Sequence, residues 1–397
     1  MSIVASGHRW FVSRFVVVWA CNFALGGGYV GAIEGRCAPC RQSTERGPAM
    51  LDRRQFVKIA GAGVLGLGLV GCGGNGVQEA PDTEAAKASS TTEAATTTSE
   101  PTKRKAAFVC FTKMENHGPD LFLGCAVADA ADELGWDFDC KYDVGGSDVD
   151  DVVQSYVDDG YDLICMPEYL YLLGYVDDIV SSNPDVNFCV FNDTTVGSNV
   201  TSILPDSTQI GQLAGSLAAL LSKTAYVTFL GQAYSETSEP VVKDRVDAFS
   251  AAANKINSSI LATYNLQAGV DEEGAQDAVE AYVSHGDNDV IYCDSPCVAT
   301  GASMALDSYD GCFAIGSIED CGQYYGDKIA CSVVIDYKGM VEQAMKSVEA
   351  GKFGNEVIEG NLANGFIKVG TFSSAVDASV QDQYLSIVDQ IKGGTFM

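Results

Sequence analysis

Positive charge is scarce in this sequence. Its 397 residues hold 24 Lys and Arg against 53 Asp and Glu, a formal charge of −29. A surface this negative repels phosphate backbones, so no nucleic-acid partner is expected. It gains nothing from anionic lipid headgroups, so any membrane attachment must come from something other than charge. Histidine is scarcer still: of three, only His117 and His285 follow Cys72. There is no H-E-x-x-H, no G-x-S-x-G elbow, no Walker loop and no kinase signature. Serine and zinc hydrolases are therefore poorly supported, and no catalytic residue, cofactor or metal site is expected. What is present is apolar material, 47% hydrophobic and 9% aromatic, enough for a packed core and too much for a disordered acidic chain. The length suggests two domains or lobes.

The charge is unevenly placed. Up to Gly71 there are eight basic and three acidic residues, and from Cys72 onward 16 and 50. A short basic region from Met50 leads into an apolar run at 59–71, which is too short to span a bilayer and has the layout of a secretory signal. Arg53-Arg54 with Phe56 and Lys58 resembles a twin-arginine export motif. Leu69-Val70-Gly71-Cys72 resembles a bacterial lipobox, in which Cys72 would carry the lipid and become the mature N-terminus. Gly61, Gly63 and Gly66 fit G-x-G-x-x-G but follow no strand, and Cys37 and Cys40 fit C-x-x-C outside any βαβ unit; neither is read as a site. Residues 1–49 are read as a misassigned extension upstream of a start at Met50, the alternative being a further anchor. Residues 50–71 are then the signal, and 72–104 a lipidated cysteine with a tether of Ala, Thr, Ser and Glu that cannot offset its ordering entropy. The folded part is expected at 105–397.

Over 105–397 short apolar runs alternate with amphipathic stretches. Strands are expected at 107–112, 138–142, 161–166, 186–191, 225–230, 260–264, 289–293, 312–315, 329–334, 357–359 and 366–369. Helices are expected at 119–134, 148–157, 171–180, 207–223, 239–256, 273–283, 298–306, 337–350 and 378–392. Such alternation predicts an α/β fold of two doubly wound parallel sheets joined by a hinge, with ligand held where strand carboxyl ends meet a shared crevice.

Polar and aromatic residues recur at those strand ends: Phe111 and Thr112 with Glu115 and Asn116, Glu168 and Tyr169, Asn192 and Asp193, Gln232 with Tyr234, Asp294 and Ser295, Glu319 and Asp320. Aromatic faces with carboxylate and amide acceptors suit an amphiphilic planar ligand. The binding set drawn from them is Phe111, Asn116, Tyr169, Asn192, Asp193, Tyr234, Asp294, Glu319 and Asp320. Cys110, Cys165, Cys189 and Cys293 lie in strand-like runs and read as small buried hydrophobes. Cys297, Cys312 and Cys321 could with Cys293 pair or bind metal, although no zinc spacing is present.

The stretch 206–224, Asp-Ser-Thr-Gln-Ile-Gly-Gln-Leu-Ala-Gly and onward, followed by Tyr226-Val-Thr-Phe-Leu-Gly231, resembles the basic membrane protein family. Further segments that fit are 246–253, 288–292, 313–316, 332–334 and 348–354. The resemblance implies a type I periplasmic-binding fold and a lipid-anchored substrate-binding protein of an ABC importer, with a permease as partner. Nucleoside-binding members clamp the base between aromatics and hold the ribose with carboxylates and a lysine. Here the family's first loop is replaced by Met114–Asp120, with Asn116 nearest its amide position. Its aspartate-rich turn reads 316–321, leaving Glu319 or Asp320, and its lysine is replaced by Ile335. The expectation is a monomeric receptor outside the cell membrane for a small polar ligand, a nucleoside or another polar solute, with lobe 1 at 105–204 and 321–354 and lobe 2 at 205–320 and 355–397. A ligand sensor for a membrane receptor, a sugar or autoinducer receptor of the same fold, and a carboxylate-based enzyme are the alternatives.

Overall fold

The computed structural model describes residues 103–114, 118–232, 239–267 and 271–397. The signal, Cys72 and most of the tether, together with Asn116 and Tyr234, lie outside the described residues.

Two six-stranded sheets carry the chain. The first contains β1 (Lys105–Val109), β2 (Asp137–Lys141), β3 (Leu163–Pro167), β4 (Asn187–Phe191), β5 (Val200–Pro205) and β11 (Glu356–Gly360), in the spatial order β11-β5-β4-β3-β1-β2. All its pairings are parallel. The second contains β6 (Tyr226–Gln232), β7 (Leu261–Gln267), β8 (Val290–Cys293), β9 (Phe313–Ile318), β10 (Ile329–Ile335) and β12 (Ile367–Val369), in the order β12-β10-β9-β8-β6-β7. Only its β10–β12 pair is antiparallel. The central strands are apolar along their whole length because helices cover both faces; all five residues of β3, Leu-Ile-Cys-Met-Pro, are buried.

Helices α1 (Pro119–Leu134), α2 (Val149–Asp158), α3 (Glu168–Leu172), α4 (Asp177–Ser182) and α10 (Tyr337–Glu349) belong with the first sheet. Helix α1 opens on Pro119 and closes on Gly135 at φ 72°, the left-handed position that glycine occupies without strain. Helices α5 (Ser207–Leu221), α6 (Glu239–Ile256), α7 (Glu272–Val283), α8 (Pro296–Leu306), α9 (Gly322–Tyr325) and α11 (Ala378–Lys392) belong with the second.

The expected helices at 119–134, 239–256 and 378–392 have those bounds. The stretch expected as one helix at 171–180 is two short ones, α3 and α4, broken at Gly174 with φ 77°. Strand β5 has no counterpart in the sequence reading. Its centre, Thr201 and Ser202, is polar yet buried, since the Ser202 hydroxyl donates to Thr195 O and the Thr201 hydroxyl accepts from Gly354 N. The lobe boundaries also differ. Strand β10, placed in lobe 1 by the sequence, pairs with β9 in the second sheet, and β11, placed in lobe 2, pairs with β5 in the first. Of the 321–354 segment, α10 and the turn after it join lobe 1, where Trp136 Nε1 donates to Glu349 at 3.0 Å and Gly354 N to Thr201 Oγ1. Sheet membership depends on pairing partners far along the chain, which local apolar pattern does not record.

The chain thus passes between lobes three times: from β5 to α5, from β10 to α10, and from β11 to β12. Asp206 and Asp336 cap the helices that follow the first two passages, accepting from Gln209 N and Gly339 N. Cys110, Cys165, Cys189 and Cys293 are unbridged and fully buried, as the small-hydrophobe reading expects. Burial pushes the Cys165 and Cys293 thiols up, which suppresses thiolate chemistry. Among the described residues no group of three His, Cys, Asp or Glu side chains could hold a metal ion, and no helix is long and apolar enough to cross a membrane.

Helices α5 and α6 approach closely because Gly211 and Gly215 face the α6 backbone at Arg245 and Phe249. A Cβ at Gly215 would overlap the Phe249 carbonyl, which is backbone and cannot swing away. Gly215→Ala is expected to cost about 1–3 kcal/mol through this overpacking, measured as a lower denaturant midpoint at unchanged slope. An unchanged midpoint would show that the helices separate without cost.

Candidate functional site

In an open parallel sheet, ligand sits beyond the strand carboxyl ends where strand order reverses. In the first sheet that point lies between β1 and β3, and in the second between β6 and β8. Residues just after these strands are therefore the ones aimed at the crevice.

On the first lobe, Phe111 follows β1 and Tyr169 follows β3. Their rings stack at 5.2 Å between centroids, 29° apart, and Tyr175 meets Phe111 edge-on at 5.2 Å. The structure brings the two predicted aromatics together against each other. The Phe111 N–H donates to the Tyr169 hydroxyl at 3.2 Å, and that hydroxyl donates to Asp120 Oδ2 at 2.6 Å. Thr112 Oγ1 donates to the same oxygen at 2.5 Å. Asp120, on the first turn of α1, is buried with Glu168 and Asp193. Asp193 Oδ1 accepts from Thr194 N at 2.7 Å, while its Oδ2 is buried with no hydrogen-bond partner among the described residues.

On the second lobe, Asp294 follows β8 and pairs with Arg245 of α6 at 2.6 Å, their side chains only 10% and 9% exposed. Asp294 also accepts from the Tyr292 hydroxyl at 3.1 Å, and that hydroxyl lies 3.0 Å from Ser317 Oγ. Tyr337 stands at the second passage, on the first turn of α10. Its hydroxyl donates to Asn192 Oδ1 at 3.0 Å and its ring meets Phe191 edge-on at 5.9 Å. Asn192 holds φ 58°, a conformation asparagine tolerates better than most residues.

Asn192 thus holds Tyr337 beside the second passage. Glu319 and Asp320 fall farther along the crevice, lining a cleft of about 390 Å³ with Phe122 and Asp129 of α1 and with Tyr337. Asp320 is engaged by Thr371 N, Thr371 Oγ1 and Gln323 Nε2 at 2.9, 2.6 and 2.7 Å, so it fastens the loop beside β12. The sequence-derived binding set omits Asp120, Glu168, Arg245 and Tyr337. Glu168 was legible as a strand-end residue. The other three sit on longer helices, where a charge or tyrosine carries no local sign that its face turns toward a cleft.

Burial pushes the Glu168 carboxyl up to about 7, its own backbone N–H offsets part of this, and Asp120 and Asp193 add to the rise. Burial likewise raises Asp120 against the donors Thr112 and Tyr169. Burial alone would lower Arg245, but Asp294 outweighs it and keeps the guanidinium charged. Because the folded pKa of Glu168 lies above its ordinary value of 4.5, the folded state keeps a proton that the unfolded chain releases between pH 4.5 and 7. Stability is lost as pH rises through that window, by about 3 kcal/mol at most. Glu168→Gln is expected to raise the melting temperature at pH 8 and to have little effect at pH 4. A gain that does not grow with pH would show that Glu168 is charged without cost.

No curated protein matches the chain at a significant level. Among solved structures it is similar to a transcriptional activator of the comK gene from Bacillus halodurans, at 23% identity over 73% of this chain and 97% of that one, TM-score 0.59. It is similar to an ABC transporter solute-binding protein from Aeropyrum pernix K1, at 14% identity over 74% and 92%, TM-score 0.63. A third, an ABC transporter solute-binding protein from Conexibacter woesei DSM 14684, matches at 16% identity over 73% and 97%, TM-score 0.58. At these identities the likeness establishes the fold, two lobes of the type I periplasmic-binding kind, as the sequence led one to expect. The family of PnrA-like ABC transporter substrate-binding proteins, Bmp, matches residues 136–393. With both switch points turned to one crevice and most of the folded chain matched, this protein belongs to that family of substrate-binding proteins.

Proposed function

We propose that the chain is a lipid-anchored, extracytoplasmic receptor of an ABC importer that captures one small polar solute between its lobes. The observation that carries the reading is the meeting of both switch points at one crevice walled by stacked aromatics, carboxyls and an ion pair. Family membership supports an ABC permease as partner and an extracytoplasmic place of work. Cys72, in its lipobox-like setting, is the proposed anchor, and the receptor acts as a monomer without cofactor. Capture proceeds by hinge motion at the three passages and needs no covalent step. A purine nucleoside is one candidate solute: carboxylates accept from ribose hydroxyls, and the Phe111 and Tyr169 rings offer an aromatic wall to the base.

A thermal-shift screen of the purified protein against nucleosides, sugars, amino acids and autoinducers tests the reading. A solute at a hundred times its dissociation constant adds about 2.7 kcal/mol, an upward shift of several degrees. If a sugar shifts the melting temperature and no nucleoside does, the nucleoside candidate fails; if no solute does, capture itself fails. Growth with a labelled fatty acid tests the anchor: label is expected on the wild type and absent from Cys72→Ala, and label retained in that variant would remove Cys72 from the account.

A further inference from the structure

Within the described residues of the crevice, the buried charges do not balance. Asp120, Glu168 and Asp193 lie at the carboxyl ends of the first-lobe strands, and Asp294 faces them from the second lobe. Arg245 is the one buried cation among the described residues, and it is already paired with Asp294. The first-lobe wall is therefore left with three carboxyls. Asp120 is supplied with donors by Thr112 and Tyr169. Asp193 is not: it is only 8% exposed, its Oδ1 takes one backbone N–H, and its Oδ2 is buried with no donor among the described residues. A buried carboxylate oxygen left unpaired costs free energy that some donor must offset. Its field reaches Glu168, whose proton affinity it raises, so the unpaired acceptor stands next to the crevice carboxyls and not in a separate niche.

We infer that the solute captured in this crevice carries a protonated amine, seated between Asp193 and Glu168 on the first-lobe wall. A bare metal ion fits less well, since no three ligating side chains among the described residues converge closely enough to hold one. An ammonium brings three donors in different directions, which suits acceptors spread over adjacent strand ends. The aromatic cluster of Phe111, Tyr169 and Tyr175 beside these carboxyls offers ring faces or edges to the carbon skeleton, and ring faces attract cations. A neutral polyol could donate to the same oxygens but would leave the wall's negative charge uncompensated. The inference deepens the receptor reading above and rests on it.

The test is calorimetric titration of the purified protein at pH 7.5 with pairs that differ only in an amine: glucosamine against glucose, and 5′-amino-5′-deoxyadenosine against adenosine. The amine of at least one pair is expected to bind about ten-fold or more tightly than its neutral parent, and the preference to vanish in Asp193→Asn. Glu168→Gln, a second near-isosteric change, is expected to shrink the preference as well, which guards against misfolding of the first variant. Neutral parents binding as tightly as amines, or a preference that survives Asp193→Asn, would overturn the inference and leave the receptor reading standing. Binding by none of the four, together with a silent screen of neutral solutes, would overturn both.

Discussion

The third passage of the chain holds the other two. The Asp206 N–H donates to Gly360 O and the Asp336 N–H to Phe366 O, each at 2.7 Å, so the segment between β11 and β12 is stitched to both remaining connections. The same two aspartates cap α5 and α10 with their carboxylates. Lys368 on β12 closes on Asp336 at 2.7 Å; burial would raise that carboxyl, but the lysine and the cap N–H hold it below its ordinary range. The first two passages are consequently anchored at helix starts, and the third is bonded to both. The three connections thus lie side by side along one line between the lobes.

That line explains where polar groups can be afforded. Next to the passages, Tyr337 and Phe191 extend an apolar core shared by both lobes. Farther out, the crevice walls carry charge of mostly one sign. The Arg245–Asp294 pair is nearly dry, and such a pair contributes little to stability against apolar residues of similar size. Its value lies in geometry: it fixes a carboxylate at the end of β8, facing the first-lobe wall. Tyr292 and Ser317 extend the same network to β9, so three side chains from α6, β8 and β9 hold the Asp294 carboxylate in place through its Oδ1.

Much of this was legible in the chain itself. Long helices, such as 119–134 with Pro119 at its start and 239–256, have the bounds the sequence leads one to expect. The two-sheet plan followed from alternation alone. Strand β5 escaped because Thr201 and Ser202 are buried by hydrogen bonds instead of by hydrophobicity. The exchange of β10 and β11 between sheets escaped because a strand carries no mark of which neighbour it will meet. In the site, residues directly after strands were visible by position, as Phe111, Tyr169, Asp193 and Asp294 were. Asp120, Arg245 and Tyr337 were hidden by helical settings in which a polar residue ordinarily faces water.

Strand β11 has a consequence for the order in which the molecule can be made. It completes the first sheet by pairing with β5, yet residues 206–355 lie between the two strands, and most of the second lobe is synthesised there. Until β11 emerges, the outer edge of β5 has free N–H and C=O groups, an invitation to wrong pairing. The lobe that begins first is therefore finished nearly last, and neither half of the chain can be cut away as a separately folding piece.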